Sequence, residues 1–191
     1  MEVGGDMHAR RRLTREDYLA LSETWDVRHE WVNGEVYAIS GGTSRHAAVA
    51  VNIVLALGAA LRDRPCRPIN GDQRIHVEAT DALLYADVGV VCGAFQHADA
   101  DPHAITNPTV LIEVLSPSTR DYDQGAKFDH YRRLPSLQHY LLVDPDEVHV
   151  IHHRRLGEGW LRHDHTQGGV ALDAVELELR LDAVYAKLDG V

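Results

Sequence analysis

Thr109-Val110-Leu111-Ile112-Glu113-Val114-Leu115-Ser116-Pro117-Ser118-Thr119 is an apolar run of strand length that ends in hydroxyl and proline residues suited to capping a helix. A run with so few polar positions reads as a strand covered on both faces, central in a sheet. Period-two alternation puts Leu111, Glu113 and Leu115 on one face and Val110, Ile112 and Val114 on the other. Glu113 therefore interrupts an apolar strand, and a lone buried carboxylate costs several kcal/mol or shifts its pKa until it neutralises. It needs an Arg, a Lys or a metal as partner. Downstream, the spacing predicts a helix over 120–134, stopped by Pro135, and a second buried strand over 139–143. Strand, helix and strand in that order imply a parallel pair.

Upstream, residues 83–92 read as a strand with Asp87 inside it, on one face with Gly89 and Val91, followed by a polar loop over 93–108. Two carboxylates on adjacent strands facing one cleft would repel unless a cation sat between them. Hard oxygen ligands with open positions for water and phosphate describe a Mg²⁺ site. The alternative is a buried Glu113–Arg pair, with Asp87 merely ending a strand. Residues 66–77 alternate polar and apolar. Residues 43–61 carry a helical stripe of Val49, Ile53, Leu57 and Leu61. Residues 28–32 and 35–39 flank Asn33-Gly34, a strong hairpin turn. Residues 14–22 read as a short helix capped by Thr14, 147–153 as a strand, and 177–188 as a strand passing into a helical turn. The expected architecture is one mixed sheet flanked by helices.

The chain has 191 residues, a one-domain length, with 45% apolar and 25% charged residues. Its formal charge of −10 excludes a broad basic nucleic-acid coat and a polybasic membrane anchor. Of the 19 basic residues only Lys127 and Lys187 are lysine, which singles out each of them. Cys66 and Cys92 are too few and too far apart for a disulfide framework or a four-thiolate zinc site, and read as reduced thiols of a cytoplasmic protein. No targeting signal or transmembrane run is visible. Residues 1–12 read as a flexible extension and 13–191 as a single domain.

Further residues extend the quoted stretch into a recognisable pattern: Tyr85-Ala86-Asp87-Val88-Gly89-Val90-Val91-Cys92 and Asn107-Pro108 before it, then Asp123, Lys127 and Tyr131 at four-residue spacing, then Tyr140-Leu141-Leu142-Val143-Asp144. Together these resemble the Uma2 family, the DUF820 group, over roughly residues 12–150. Glu30-Trp31-Val32-Asn33-Gly34-Glu35 is similar to the family's Glu-x-x-(Asp/Asn)-Gly-Glu opening, and Ser44-Arg45-His46 to its next element. The family is placed in the PD-(D/E)XK nuclease superfamily. The resemblance therefore implies an α/β (α+β) restriction-endonuclease-like fold and metal-dependent cleavage of DNA.

The superfamily's usual pattern is not met, because Leu115 stands where its lysine would follow the Glu and Ala86 where a Pro would precede Asp87. Within the Uma2 group the lysine is thought to have moved to the following helix, which Lys127 fits. The resemblance implies Asp87 and Glu113, with the Val114 carbonyl, as ligands of Mg²⁺ or Mn²⁺, and Lys127 as the group that orients water or offsets charge on the phosphate. Either Glu30 or Glu35 would add a carboxylate, with Glu30 preferred. His46, Asp123 and Tyr131 are accessory candidates, His46 as a phosphate contact. The alternative for Lys127 is a surface pair with Asp123. Cutting two strands calls for two sites, which leaves a homodimer open, and DNA contact would fall to local sets such as Arg132-Arg133 or Arg154-Arg155. A rival reading keeps the fold without activity, as a binding or regulatory module. If Glu113 were locked to an Arg with no opening to solvent, that rival would prevail.

His149, His152, His153, His163 and His165 lack the Cys or His-Glu-x-x-His context of a zinc site and read as surface histidines. Ser116 and Ser118 lack a nucleophile-elbow pattern and read as helix caps.

Overall fold

A computed structural model describes residues 12–39 and 41–191 of the chain. The extension expected over 1–12 lies outside the described residues except for Arg12, which bridges to Glu35. In chain order the elements are α1 (Arg15–Ser22), β1 (His29–Val32), β2 (Glu35–Ala38), α2 (Ser44–Ala60), β3 (Cys66–Asn70), β4 (Arg74–Val77), β5 (Ala82–Tyr85) and β6 (Val88–Cys92). There follow β7 (His97–Ala98), β8 (Asp101–Ile105), β9 (Pro108–Val114), α3 (Arg120–Gln124), α4 (Ala126–Tyr131) and β10 (His139–Val143). The chain closes with β11 (Val150–Leu156), β12 (Gly159–His165), β13 (Gly169–Leu172), β14 (Leu177–Arg180) and α5 (Leu181–Val184).

Local chemistry explains the early elements. Thr14 Oγ1 accepts the Asp17 N–H and starts α1. Asn33 and Gly34, with φ of 45° and 95°, make the double left-handed turn that a two-residue hairpin requires, and β1 and β2 pair antiparallel around it. Thr43 caps α2 through the His46 N–H. The stripe Val49, Ile53, Leu57 and Leu61 is buried with Val88, Val90, Val110, Ile112 and Val114. Each such side chain contributes about 1.5–3 kcal/mol on burial.

β9 is central as expected, parallel to β10 and antiparallel to β6. Instead of one mixed sheet there are two six-stranded sheets, ordered β2-β1-β5-β4-β8-β7 and β12-β11-β10-β9-β6-β3, with a β13-β14 ribbon. The strand expected over 83–92 breaks at Ala86-Asp87, where the chain passes from the first sheet to the second. Both β5 and β6 are buried on both faces, so no change of period marks the break. The loop expected over 93–108 contains β7 and β8. β8 is held by parallel pairing with β4, a partner about thirty residues away that local pattern does not reveal. The helix expected over 120–134 is interrupted at Gly125, giving α3 and α4.

The two faces of β9 serve two cores. Val110, Ile112 and Val114 face α2 and α5. Leu111 and Leu115 join Ile75, Leu84, Phe128, Tyr131 and Tyr140 in the layer beneath α4. The expectation of two reduced thiols is overturned: β3–β6 pairing sets Cys66 directly opposite Cys92, and they form a disulfide. Their separation in sequence is closed by strand register.

Candidate active site

Asp87 lies in the link before β6. The Val88–Ile112 pairing, continued by one residue, sets it opposite Glu113. The Val114 N–H donates to Asp87 Oδ2 at 2.7 Å, and His46 Nε2 lies 3.2 Å from the same oxygen. Burial disfavours the Asp87 charge, but His46 and the Val114 N–H outweigh it and hold the carboxyl below its ordinary value. Asp87 in turn raises the His46 pKa. His46, expected as a phosphate contact, thus rests on a carboxylate at the start of α2.

Glu113 is 3% exposed. Its Oε1 lies 3.0 Å from Lys127 Nζ, off the direction of a hydrogen bond, and that atom has no hydrogen-bond partner. Burial, then the neighbouring carboxylates, push the Glu113 pKa well above the usual range against the pull of Lys127. Lys127 projects from α4, and its Nζ also lies 3.2 Å from Glu30 Oε1 and 3.6 Å from Asp123 Oδ1. Burial works against the ammonium, but Glu113 and Glu30 outweigh it, so Lys127 stays charged. The surface-pair alternative for Lys127 is therefore overturned, since the residue is buried among three carboxylates. Nor is the partner of Glu113 an Arg.

Glu30 reaches the cluster because β1 pairs with β5, Trp31 opposite Leu83. The Tyr85 N–H donates to Glu30 Oε1 at 3.1 Å and the Tyr122 hydroxyl to Oε2 at 3.2 Å. Glu35 does not join it. On edge strand β2, it accepts the Tyr37 hydroxyl and lies 3.7 Å from Arg12. Asp123 does join, and burial raises its pKa. Tyr131 is instead a core residue, fully buried against Tyr140.

Glu30, His46, Asp87, Glu113, Asp123 and Lys127 all line one cavity of about 810 Å³. With Asp26, five acidic side chains line the cavity against Lys127, Arg28 and His46, an acid excess suited to a cation. Among the described residues no three His, Cys, Asp or Glu side chains form a ready-made cage. Mg²⁺ does not need one, because it keeps waters and takes one or two carboxylates plus substrate phosphate. The unpartnered Glu113 Oε1 and the acid excess fit such an ion.

The remaining expectations separate cleanly. Neither arginine pair lines the cavity. Arg154 pairs with Asp173, Arg132 with Asp129, and Arg155 donates to the Arg132, Leu134 and Leu137 carbonyls. The histidines are not all at the surface: His152 is buried, its Nε2 2.9 Å from His139 Nδ1. Arg28 and Tyr122 are among the cavity residues that the sequence reading did not single out. Arg28 lies two positions before Glu30, where period-two alternation could have found it. It is anchored by Asp72 at 2.8 Å and by the Tyr85 ring. Tyr122 had no local signal, because its partner Glu30 is distant in sequence.

A family profile described as "Uma2: Putative restriction endonuclease" matches residues 15–183. Two proteins of Synechocystis sp. (strain ATCC 27184 / PCC 6803 / Kazusa), both described as uncharacterized, are similar to the chain. The protein slr1290 is 31% identical over 179 residues, covering 93% of each chain. The protein sll1609 is 32% identical over 150 residues, covering 78% of this chain and 85% of its own. A crystal structure described as "a putative nuclease belonging to DUF820 from Anabaena variabilis ATCC 29413" superposes with a TM-score of 0.76 at 19% identity. It covers 92% of this chain and 99% of its own, a likeness of fold. The motif residues around Asp87, Glu113 and Lys127, the match along nearly the whole chain and the shared architecture lead to one conclusion: the chain belongs to the Uma2 family.

Proposed function

We propose that this protein is a divalent-metal-dependent DNA endonuclease that hydrolyses phosphodiester bonds. The observation that carries the reading is the convergence of Asp87, Glu113 and Lys127 on the wall of one open cavity. Asp87 and Glu113, with the Val114 carbonyl, would hold Mg²⁺ or Mn²⁺, which supplies Lewis acidity toward the phosphate and a lowered pKa for bound water. The protein's own part is positioning. The Val114 N–H and His46 orient Asp87. Glu30, fixed by Tyr85 and Tyr122, steadies the Lys127 ammonium, which orients the attacking water or offsets charge developing on the pentacoordinate phosphorus. Without a cation the acidic wall repels a phosphodiester, so cleavage requires the metal. Binding to DNA is expected to be weak and salt-sensitive, with Arg28 the cation on the cavity wall besides Lys127 and His46.

The test is cleavage of supercoiled, linear and single-stranded DNA with Mg²⁺ or Mn²⁺. Asp87→Asn and Glu113→Gln each lower the rate by about 100-fold or more. Full activity in clean Glu113→Gln protein overturns the assignment. The near-complete burial of Glu113 favours the rival, a nuclease fold kept for binding. Metal-independent DNA binding with no cleavage by the wild type would select it.

A further inference from the structure

Helix α2 is apolar almost all round. Between Ala47 and Ala60 its one polar side chain is Asn52, which turns inward to donate to the Val184 and Ala186 carbonyls. Val49, Ile53 and Leu57 fill the core. On the opposite side Ala47, Val51, Leu55 and Ala59 form an exposed row at four-residue spacing, with Val51 56% and Leu55 65% exposed. A helix without a polar face is ordinarily covered on both sides. Nothing among the described residues covers this row.

We propose that the row is a homodimer interface in which α2 packs antiparallel against α2 of a second copy about a two-fold axis. The order of side chains supports self-pairing. The row runs small, large, large, small, so reversing it sets Ala47 against Ala59 and Val51 against Leu55 of the other copy, and the reciprocal contacts follow from symmetry. Four-residue ridges are those that interdigitate in the commonest helix packing, whose inclined axes place Val51 and Leu55 at the crossing and leave the alanines flanking it. Electrostatics point the same way. Each copy carries a formal charge of −10, so self-association must avoid acidic patches, and this row has no charge. Antiparallel packing also opposes the two helix dipoles.

The area sets the strength. The row exposes roughly 300 Å² of apolar surface per copy, within the range of the largest patch on a typical monomer, where such patches are often functional. Two rows bury roughly 600 Å², below the roughly 1,000 Å² of a lasting specific interface, so the dimer is expected to be weak and transient, dissociating in the high micromolar range. His46 lies about two helical turns from the crossing point, which sets the two cavities' histidines roughly 20 Å apart along the helices. That spacing bears on cutting both strands of one duplex only if the nuclease reading holds. The dimer does not depend on that reading.

Sedimentation equilibrium from about 1 to 300 µM tests the proposal without reference to activity. The wild type should shift toward twice its 21.3 kDa chain mass across that range. Leu55→Arg should weaken association at least about 100-fold with an unchanged circular dichroism spectrum, whereas Leu156→Arg, on an exposed leucine of β11, should leave it unchanged. Register has its own readout. With Val51→Cys and Leu55→Cys in one chain, oxidation should yield a covalent dimer in which the thiol introduced at position 51 of each copy bonds to the one at position 55 of the other. A wild type that stays at 21.3 kDa, leaving the row for a different protein or a lipid surface, overturns the proposal. So does a dimer indifferent to Leu55→Arg, or a double-cysteine chain that does not cross-link.

Discussion

The buried pair His139 and His152 makes the fold acid-labile in a way that can be calculated. The Ala174 N–H donates to His139 Nε2 at 3.3 Å, so the His139 proton sits on Nδ1 and is donated to His152 Nε2 at 2.9 Å. Both rings are neutral. Protonating His152 Nε2 would set two donors against each other, and protonating His139 Nε2 would face the Ala174 N–H, with Asp173 Oδ1 at 3.3 Å as partial compensation. His153, His163 and His165 add like charge around His152, and Arg154 adds it around His139. Burial is the main cause of both shifts, to about 4 for His139 and about 3 for His152. In the unfolded chain both titrate near 6.5.

Between pH 5.5 and 4.5 the unfolded chain therefore binds nearly two protons more here than the native chain does. The pair's stability is fully present above pH 6.5 and is lost as pH falls toward the folded values. Each proton lowers stability by roughly 1 kcal/mol over that pH unit, so the pair lowers it by roughly 2 kcal/mol. Glu113 and Asp123, with raised pKa values, act in the opposite direction, so the measurement must be differential. Urea unfolding of wild type and of His139→Gln/His152→Gln, at pH 5.5 and 4.5, isolates the pair. The wild type should lose roughly 2 kcal/mol more than the variant over that unit. Equal losses in the two proteins would refute the neutral, hydrogen-bonded pair.

Three further outcomes follow from the geometry. Lys127→Ala leaves three carboxylates buried without their cation and should destabilise by about 3–5 kcal/mol in urea unfolding, so this variant is unsuited to a pure activity test. Cys92→Ser opens a loop of 26-residue sequence separation and should cost about 3.5 kcal/mol on the chain-entropy account, with wild type in reductant showing a similar loss of Tm. Gly89→Val directs side-chain atoms at Ile69 and Leu111, since a Cβ there would already lie 3.0 Å and 3.1 Å from them, and should cost about 1–3 kcal/mol by overpacking.

The sequence by itself determined the elements whose causes are local. The β9 strand, the Asn33-Gly34 hairpin, the Thr14 cap and the α2 stripe follow from periodicity and turn chemistry within about a dozen residues. Asp87 and Glu113 stood out as carboxylates in apolar strands and Lys127 as a lysine in an arginine-rich chain, and it was the resemblance to the Uma2 family that joined the three into one candidate site. What depended on distant partners was decided by the tertiary structure. Glu30 and Glu35 share one face of the same hairpin, yet only β1 pairs with β5, and that pairing alone carries Glu30 into the cavity. The break at Ala86-Asp87, the β4–β8 pairing, the Cys66–Cys92 bond and the burial of Lys127 likewise arise from strand register and sheet packing between segments far apart in the chain, which no local period encodes.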